Sequence, residues 1–258
     1  MATIRCREQC FESIQAVLFD KDGTLAQVEG YLRLLGEARS HALLTKEPSL
    51  TTQRTALPTK PPLMEAFGIG EGQLNPTGLL AVGSRQENEV AAAAYLAEAG
   101  WSWIAALEAA QDAFAQAEAT LSPKVEKTPL VEGTAELLDR LTANTIQIGI
   151  VSADLHREVA AFIEHYALHE VDWFCGASSD YLAKTHPDFL TFACESMSVA
   201  PQQTLVIGDS ASDLLLASRG AAGFLAMVGG WHSPPMIKPI KDVKMTQFWL
   251  LAEVEVFV

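Results

Sequence analysis

The sequence predicts an α/β protein built on a doubly wound parallel sheet, with a second, mostly helical domain inserted into it. Three observations carry this. Ala16-Val17-Leu18-Phe19 is a run of apolar residues rich in β-formers, followed at once by Asp20, Asp22 and Gly23, as in a strand buried on both faces that leaves its sheet sharply. Beyond Pro129, short apolar runs alternate with amphipathic stretches, the rhythm of a parallel sheet with helices on both faces. Between the two lies a long stretch without a clear strand. The expected organisation is a core of 1–25 and 126–258 interrupted by a helical insert over 26–125.

Taken in order, Met1–Cys10 contains Arg5, Arg7 and Glu8 and no apolar run, so it does not read as a signal peptide. Cys6 and Cys10 would share a face if the segment were helical. Asp20 and Asp22 follow the first strand at positions i and i+2, which in extended chain point the same way, with Lys21 directed elsewhere. Two carboxylates at a strand end repel unless a cation joins them, and a divalent metal with oxygen ligands suits them. Residues 26–45 carry Tyr31, Leu34, Leu35 and Ala38 at helical spacing. From Thr45 to Pro62, four prolines among five threonines read as a loop. A short helix near 63–67 and the break Gly68-Ile69-Gly70-Glu71-Gly72 precede two Ala-rich helices, 87–100 and 102–121, the latter stopped by Pro123.

In the second half, a helix over 132–141 leads to a strand over 146–151, with Ser152 and Asp154 after it and Asp154 the expected N-cap of a helix reaching Tyr166. A strand over 171–174, Lys184, a helix over 186–197 and a strand at Leu205-Val206-Ile207 follow. That strand ends in Gly208-Asp209-Ser210-Ala211-Ser212-Asp213. A helix to Arg219 and a strand over 224–228 complete the alternation, and 253–258 reads as a terminal edge strand. Strand ends of such a sheet share one rim, so Asp20, Ser152 and Asp209 are expected in one crevice.

Composition narrows the function. The chain has 258 residues, 49% hydrophobic and 19% charged, enough for a large core. Eighteen basic against 32 acidic residues give a formal charge of -14, which argues against nucleic acid as a partner. The four cysteines, Cys6, Cys10, Cys175 and Cys194, show no metal-finger spacing and read as ordinary thiols of a reducing compartment. No run reaches the ~20 apolar residues of a membrane span. A cytoplasmic protein with no membrane partner is expected.

These motifs resemble those of the haloacid dehalogenase superfamily of hydrolases, in order: Asp20-Lys21-Asp22-Gly23-Thr24, then Ser152 after Ile148-Gly149-Ile150-Val151, then Lys184, then Gly208-Asp209-Ser210-Ala211-Ser212-Asp213. The arrangement is similar to a phosphoglycolate phosphatase with a Rossmann-like core, the insert standing where the family has its helical cap. The resemblance implies a phosphatase acting on a small phosphorylated metabolite through an aspartyl-phosphate. It makes Asp20 the nucleophile and Asp22 the acid and base. Mg²⁺ would be held by Asp20, the Asp22 carbonyl and Asp209, with Asp213 supporting the metal or Lys184. Lys184, Ser152 and the backbone amides about Asp22, Gly23 and Ala153 would hold phosphate oxygens. One departure stands out: Thr185 and His186 precede Pro187, where many relatives have Pro directly after the lysine.

Other readings compete. A phosphosugar mutase keeps the same core residues, and an inactive binding module would keep the fold. A dehalogenase needs no leaving-group acid, whereas Asp22 is present, and a phosphonatase would want a cap lysine, whereas Lys46 and Lys60 lie in the loose Thr/Pro-rich segment. His156 and His186 read as surface or structural. Ser84 and Arg85 are the insert's candidates for substrate contact, while Trp101 and Trp103 read as pocket wall or as packing of the insert. The expected oligomeric state is monomer or homodimer.

Overall fold

A computed structural model describes residues 2–46, 62–70, 72–178, 182–233 and 235–257. The Thr/Pro-rich loop expected over 45–62, including Lys60, lies almost wholly outside the described residues. The chain forms two compact units, Met1–Val28 with Thr128–Val258, and Glu29–Lys127. Among the described residues no helix is long and apolar enough to cross a membrane.

The first unit begins with a hairpin, β1 (Ala2–Cys6) and β2 (Gln9–Ile14), before the central strand β3 (Ala16–Asp20). The helical unit follows: α1 (Glu29–Lys46), α2 (Pro62–Ala66), a two-residue hairpin of β4 (Ile69–Gly70) and β5 (Gln73–Leu74), α3 (Leu79–Val82), α4 (Arg85–Glu98) and α5 (Trp103–Leu121). The chain then returns through α6 (Thr134–Ala143), β6 (Gln147–Leu155), α7 (His156–His165), β7 (Trp173–Ala177), α8 (Phe189–Ser196), β8 (Thr204–Gly208), α9 (Ala211–Ala217), β9 (Gly223–Met227), β10 (Met245–Phe248) and β11 (Val254–Phe257).

The main sheet has the order β10-β9-β8-β3-β6-β7, and all its pairs are parallel. β3 lies in the middle with both faces covered, so each of its residues is buried, as its unbroken apolar run requires. Register then sets the rim: Phe19 pairs with Ile150 on one side and Ile207 on the other. Asp20, Ser152 and Asp209 therefore lie at the same rim of the sheet. Beneath them Leu18, Val151, Val206, Phe189, Leu190 and Phe224 belong to one core cluster.

Four features differ from the expectation. The N-terminus is a hairpin in which Cys6 pairs with Gln9 and Arg5 with Cys10, so the two cysteines do not share a helix face. The last strand, β11, is a terminal edge strand as expected, but it pairs with β1 in a separate three-stranded sheet. A further edge strand, β10, follows the lysines at 238, 241 and 244. Finally, β6 runs on to Leu155, which is the N-cap of α7; Asp154 lies inside the strand and does not cap the helix. Burial raises the thiols of Cys6 and Cys175 to about 11, so both stay protonated and inert at neutral pH.

In the helical unit, α5 buries a small-residue face, Ala106, Ala109, Ala110, Ala113 and Ala117, around Phe114. The Phe67 ring meets Phe114 edge-on at 6.1 Å, and the Arg39 guanidinium lies 4.3 Å from the Phe114 centroid. Glu118 neutralises two cations: its Oε1 accepts from Arg39 at 2.7 Å and from Arg85 at 3.0 Å. Ser84 caps α4 through a reciprocal pair with Glu87, and Arg85 also pairs with Glu89 at 2.8 Å. Both candidates for substrate contact are thus engaged within their own unit, and Trp103 is half exposed at the start of α5. Glu118→Ala strands the buried Arg39 charge and is expected to destabilise this unit by about 2 kcal/mol, read as a lower urea midpoint.

Candidate active site

The site grows from the turn after β3. The Lys21 carbonyl accepts from both Leu25 N and Ala26 N at 2.9 Å, and Gly23 N donates to the Ala26 carbonyl at 2.9 Å. These bonds fold residues 20–26 into a compact loop beside Asp20. Gly23 has φ +88, and a Cβ there would stand 2.5 Å from both Asp209 Oδ2 and Trp231 Nε1. Glycine is therefore required twice over, by conformation and by space. The Gly23 amide was expected to serve a phosphate oxygen; in this structure it is already bonded to Ala26. Gly23→Ala is expected to destabilise the protein by about 2 kcal/mol or more and to displace Asp209, which would appear as weaker divalent-metal binding in a calorimetric titration.

Asp20, Asp209 and Asp213 come together: one carboxylate oxygen from each lies within 4.8 Å of the others, and all three residues are buried. Lys184 is the cation among them, paired with Asp20 and lying 2.5 Å from Asp213. Asp213 is held by its own helix start, since Ser210 N and Ser210 Oγ donate to its Oδ2 at 2.9 and 2.6 Å. Asp209 receives bonds at both oxygens, from Thr24 Oγ1 at 3.3 Å and from Trp231 Nε1 at 2.7 Å. Ser152 is buried, and its hydroxyl accepts from Asp154 N at 3.1 Å, which leaves the hydroxyl proton to donate.

Burial is the main electrostatic fact. It pushes the Asp20 carboxyl up to about 7; Lys184 pulls it down, and Asp213 and Asp22 push it up again. Asp209 is raised well above the usual carboxylate range by burial and then by Asp20 and Asp213, against the Trp231 bond and Lys184. Burial works against the Lys184 ammonium, but Asp20 and Asp213 outweigh it and keep the group charged. Three carboxyl groups thus face one ammonium in a buried site, more than that one cation can offset once they ionise. A hard divalent cation with oxygen ligands fits this donor set.

A carboxyl whose pKa is 3.8 unfolded and about 7 folded favours folding below the lower value and loses that contribution as pH rises through the upper one. In EDTA, the thermal midpoint of the wild type is expected to fall between about pH 4 and pH 7 relative to that of Asp20→Asn. Parallel profiles would contradict the shift.

The expected site residues sort clearly. Asp20, Asp209 and Asp213 are brought into one cluster with Lys184 paired to Asp20 and Asp213, and Ser152 stands at the same rim. Ala153, the residue after it, is exposed. Asp22 stands outside the carboxylate trio, and its Oδ1 is bonded to Lys21. His156 stacks on Phe174 at 4.7 Å, and His186, which is exposed, accepts from Asp188 N at 3.2 Å. Sequence reasoning missed the roles of Thr24 and Trp231 on Asp209. The signal was the Gly229-Gly230-Trp231 turn, which follows β9 and so lies on the same rim of the sheet.

The model of the haloacid dehalogenase-like hydrolase family matches residues 14–220. Among curated proteins, the phosphoglycolate phosphatase of Escherichia coli K12 is 31% identical over 110 residues, 42% of this chain and 43% of that enzyme. A haloacid dehalogenase-like hydrolase domain-containing protein of Arabidopsis thaliana is 23% identical over 105 residues, 40% of this chain and 42% of that protein. The aligned stretches thus span under half the length of these relatives. Among solved structures, one from Haemophilus somnus 129PT, named as a predicted phosphoglycolate phosphatase, has TM-score 0.59 and 20% identity, covering 86% of this chain and 89% of that one. A haloacid dehalogenase superfamily hydrolase of subfamily IA from Geobacter sulfurreducens has TM-score 0.55 and 19% identity, covering 93% and 94%. These two likenesses concern the fold. With the strand-end aspartates, the lysine and the acidic helix start in place on such a sheet, and a family match across most of its length, the chain belongs to the haloacid dehalogenase-like hydrolases.

Proposed function

We propose that this chain is a Mg²⁺-dependent phosphatase that hydrolyses a small phosphorylated metabolite through a phosphoryl group carried on Asp20. The observation that carries the reading is the buried contact of Asp20 with Lys184 at the end of the central strand, beside Asp209 and Asp213. A phosphate monoester is anionic, and bringing it to a carboxylate costs about 4 kcal/mol at 4 Å and an effective dielectric of 20. Neutralising that charge is therefore the main task of the site.

The residues divide the work by chemistry. Asp20, Asp209 and the backbone carbonyl of Asp22 would hold Mg²⁺, with Asp213 supporting the metal or Lys184; the ion supplies charge neutralisation at the transferred phosphoryl group. Lys184 and the Ser152 hydroxyl hold phosphate oxygens, with the amides about Asp22 and Ala153 beside them. The Asp20 carboxylate attacks phosphorus in line and the ester oxygen leaves, taking a proton from the Asp22 carboxyl. Asp22, now a carboxylate, takes a proton from the water that attacks the aspartyl-phosphate; phosphate departs and Asp20 is restored. The helical unit, inserted after the first strand of the sheet, takes the part of the cap in this reading.

The substrate class follows the E. coli relative as a first probe: a small phosphorylated acid, 2-phosphoglycolate. The test is phosphate release from p-nitrophenyl phosphate, 2-phosphoglycolate, glycerol phosphate and hexose phosphates, with Mg²⁺ and with EDTA. Release only with Mg²⁺ is the expected result. Isomerisation of hexose 1-phosphate without release would indicate a mutase, and no reaction with any substrate in folded, metal-loaded protein would point to a binding module.

A further inference from the structure

Lys21 lies between the two aspartates of the first motif, and the reaction outlined above gives it no part. Its side chain is nevertheless among the largest fully buried ones in the protein, with the residue 1% exposed. The ammonium lies 5.4 Å from the centroid of the Phe162 ring of α7. It pairs with Asp22 Oδ1 and, at 2.9 Å, with Asp154 Oδ2. The sequence expectation that Lys21 points elsewhere holds for the start of its side chain at most; the four-carbon stem brings the charge back to Asp22. Asp154 reaches the same ammonium because β6 runs past Val151, with a register shift against β7 between Val151 and Leu155. A buried, ring-seated ammonium shared by two carboxylates is a costly arrangement to hold. It links β6, the strand that carries Ser152, to the one group that must meet the leaving oxygen.

We propose that Lys21, braced by Asp154 and Phe162, is a positioning residue for Asp22, holding its carboxyl where it can meet the ester oxygen. The inference rests on the phosphatase reading. Proton transfer in the transition state requires the donor within hydrogen-bond reach of the departing oxygen. Lys21 touches no substrate in this account; it acts by limiting where the Asp22 carboxyl can go. Asp154 does the same for Lys21, one step further out.

The test compares leaving groups, because a misplaced acid harms a poor leaving group more than a good one. kcat/KM, which reports the first chemical step, is measured on ethyl phosphate and on p-nitrophenyl phosphate for wild type, Asp22→Asn, Lys21→Met and Asp154→Asn, with folding checked by circular dichroism. Lys21→Met is expected to lose about ten-fold more on ethyl phosphate than on p-nitrophenyl phosphate, in the direction set by Asp22→Asn. Asp154→Asn, which keeps the size of the side chain, is expected to show a smaller loss with the same selectivity, and it serves if Lys21→Met does not fold. Equal losses on both substrates, or none, in folded variants would overturn the proposal and leave Lys21 as a structural brace. An inactive wild type would instead overturn the phosphatase reading, and this inference with it.

Discussion

Asp20→Asn is expected to lower kcat/KM by about a thousand-fold or more, about 4 kcal/mol of transition-state stabilisation. The amide keeps the size of the side chain but is neither a nucleophile nor a charged metal ligand. The same substitution removes one of three carboxylates crowded in a buried site. The metal-free variant should therefore be at least as stable as wild type at neutral pH, where the Asp20 carboxyl, raised to about 7, is partly ionised at a cost to folding. Divalent metal should raise the thermal midpoint of wild type, since a ligand bound only by the folded state stabilises it, and should do so far less in the variant. The combination separates loss of chemistry from loss of structure.

Lys184→Met is expected to be the second severe change, and it works in the opposite sense on stability. Removing the ammonium takes away the fixed cation beside Asp20, and a loss of about 100-fold or more in kcat is expected, comparable to deleting a donor from a preorganised anion site. It also leaves Asp20 and Asp213, with side chains 10% and 1% exposed, without their counter-charge. Stranding buried charge costs about 3–5 kcal/mol. The thermal midpoint in EDTA should fall clearly below that of wild type, with added Mg²⁺ recovering part of the difference. A variant of unchanged stability and activity would mean that Lys184 is an ordinary loop lysine.

How much of this was readable in the sequence depended on how local the determining interactions are. β3 announced itself because a strand covered on both faces needs an unbroken apolar run, and Ala16–Phe19 is one. Asp20, Ser152 and Asp209 followed, since parallel register places successive strand ends on one rim. The terminal sheet was not readable in the same way. β1 alternates buried and more exposed positions, a half-buried strand pattern, but its partner β11 lies at the far end of the chain, and no local signal names a partner that distant.

The site shows the same division. Spacing orients a side chain at its Cβ, which sufficed for Asp20 but not for Lys21, whose long stem carries its charge to Asp22 and Asp154. In the sequence Asp154 reads as a helix cap, because an acid after a strand commonly is one. An extension of β6 with a register irregularity overrode that preference. Trp231 and Thr24 carry no such local signal, because their work is on Asp209 and not on a reacting atom. Only the fold shows that the loop after β9 returns to the loop after β3, closely enough that Gly23 has no room for a side chain.

The most direct test of the central assignment is to trap the phosphoryl group. Wild-type protein mixed with Mg²⁺ and a small phosphate monoester is quenched in acid within the first turnover, digested and examined by mass spectrometry. A phosphoryl adduct, reducible by borohydride, on the peptide that contains Asp20, and absent from Asp20→Asn, is the predicted result. Turnover by wild type with no adduct at Asp20 under single-turnover conditions, or an adduct on another residue, would contradict the assignment of Asp20 as the nucleophile.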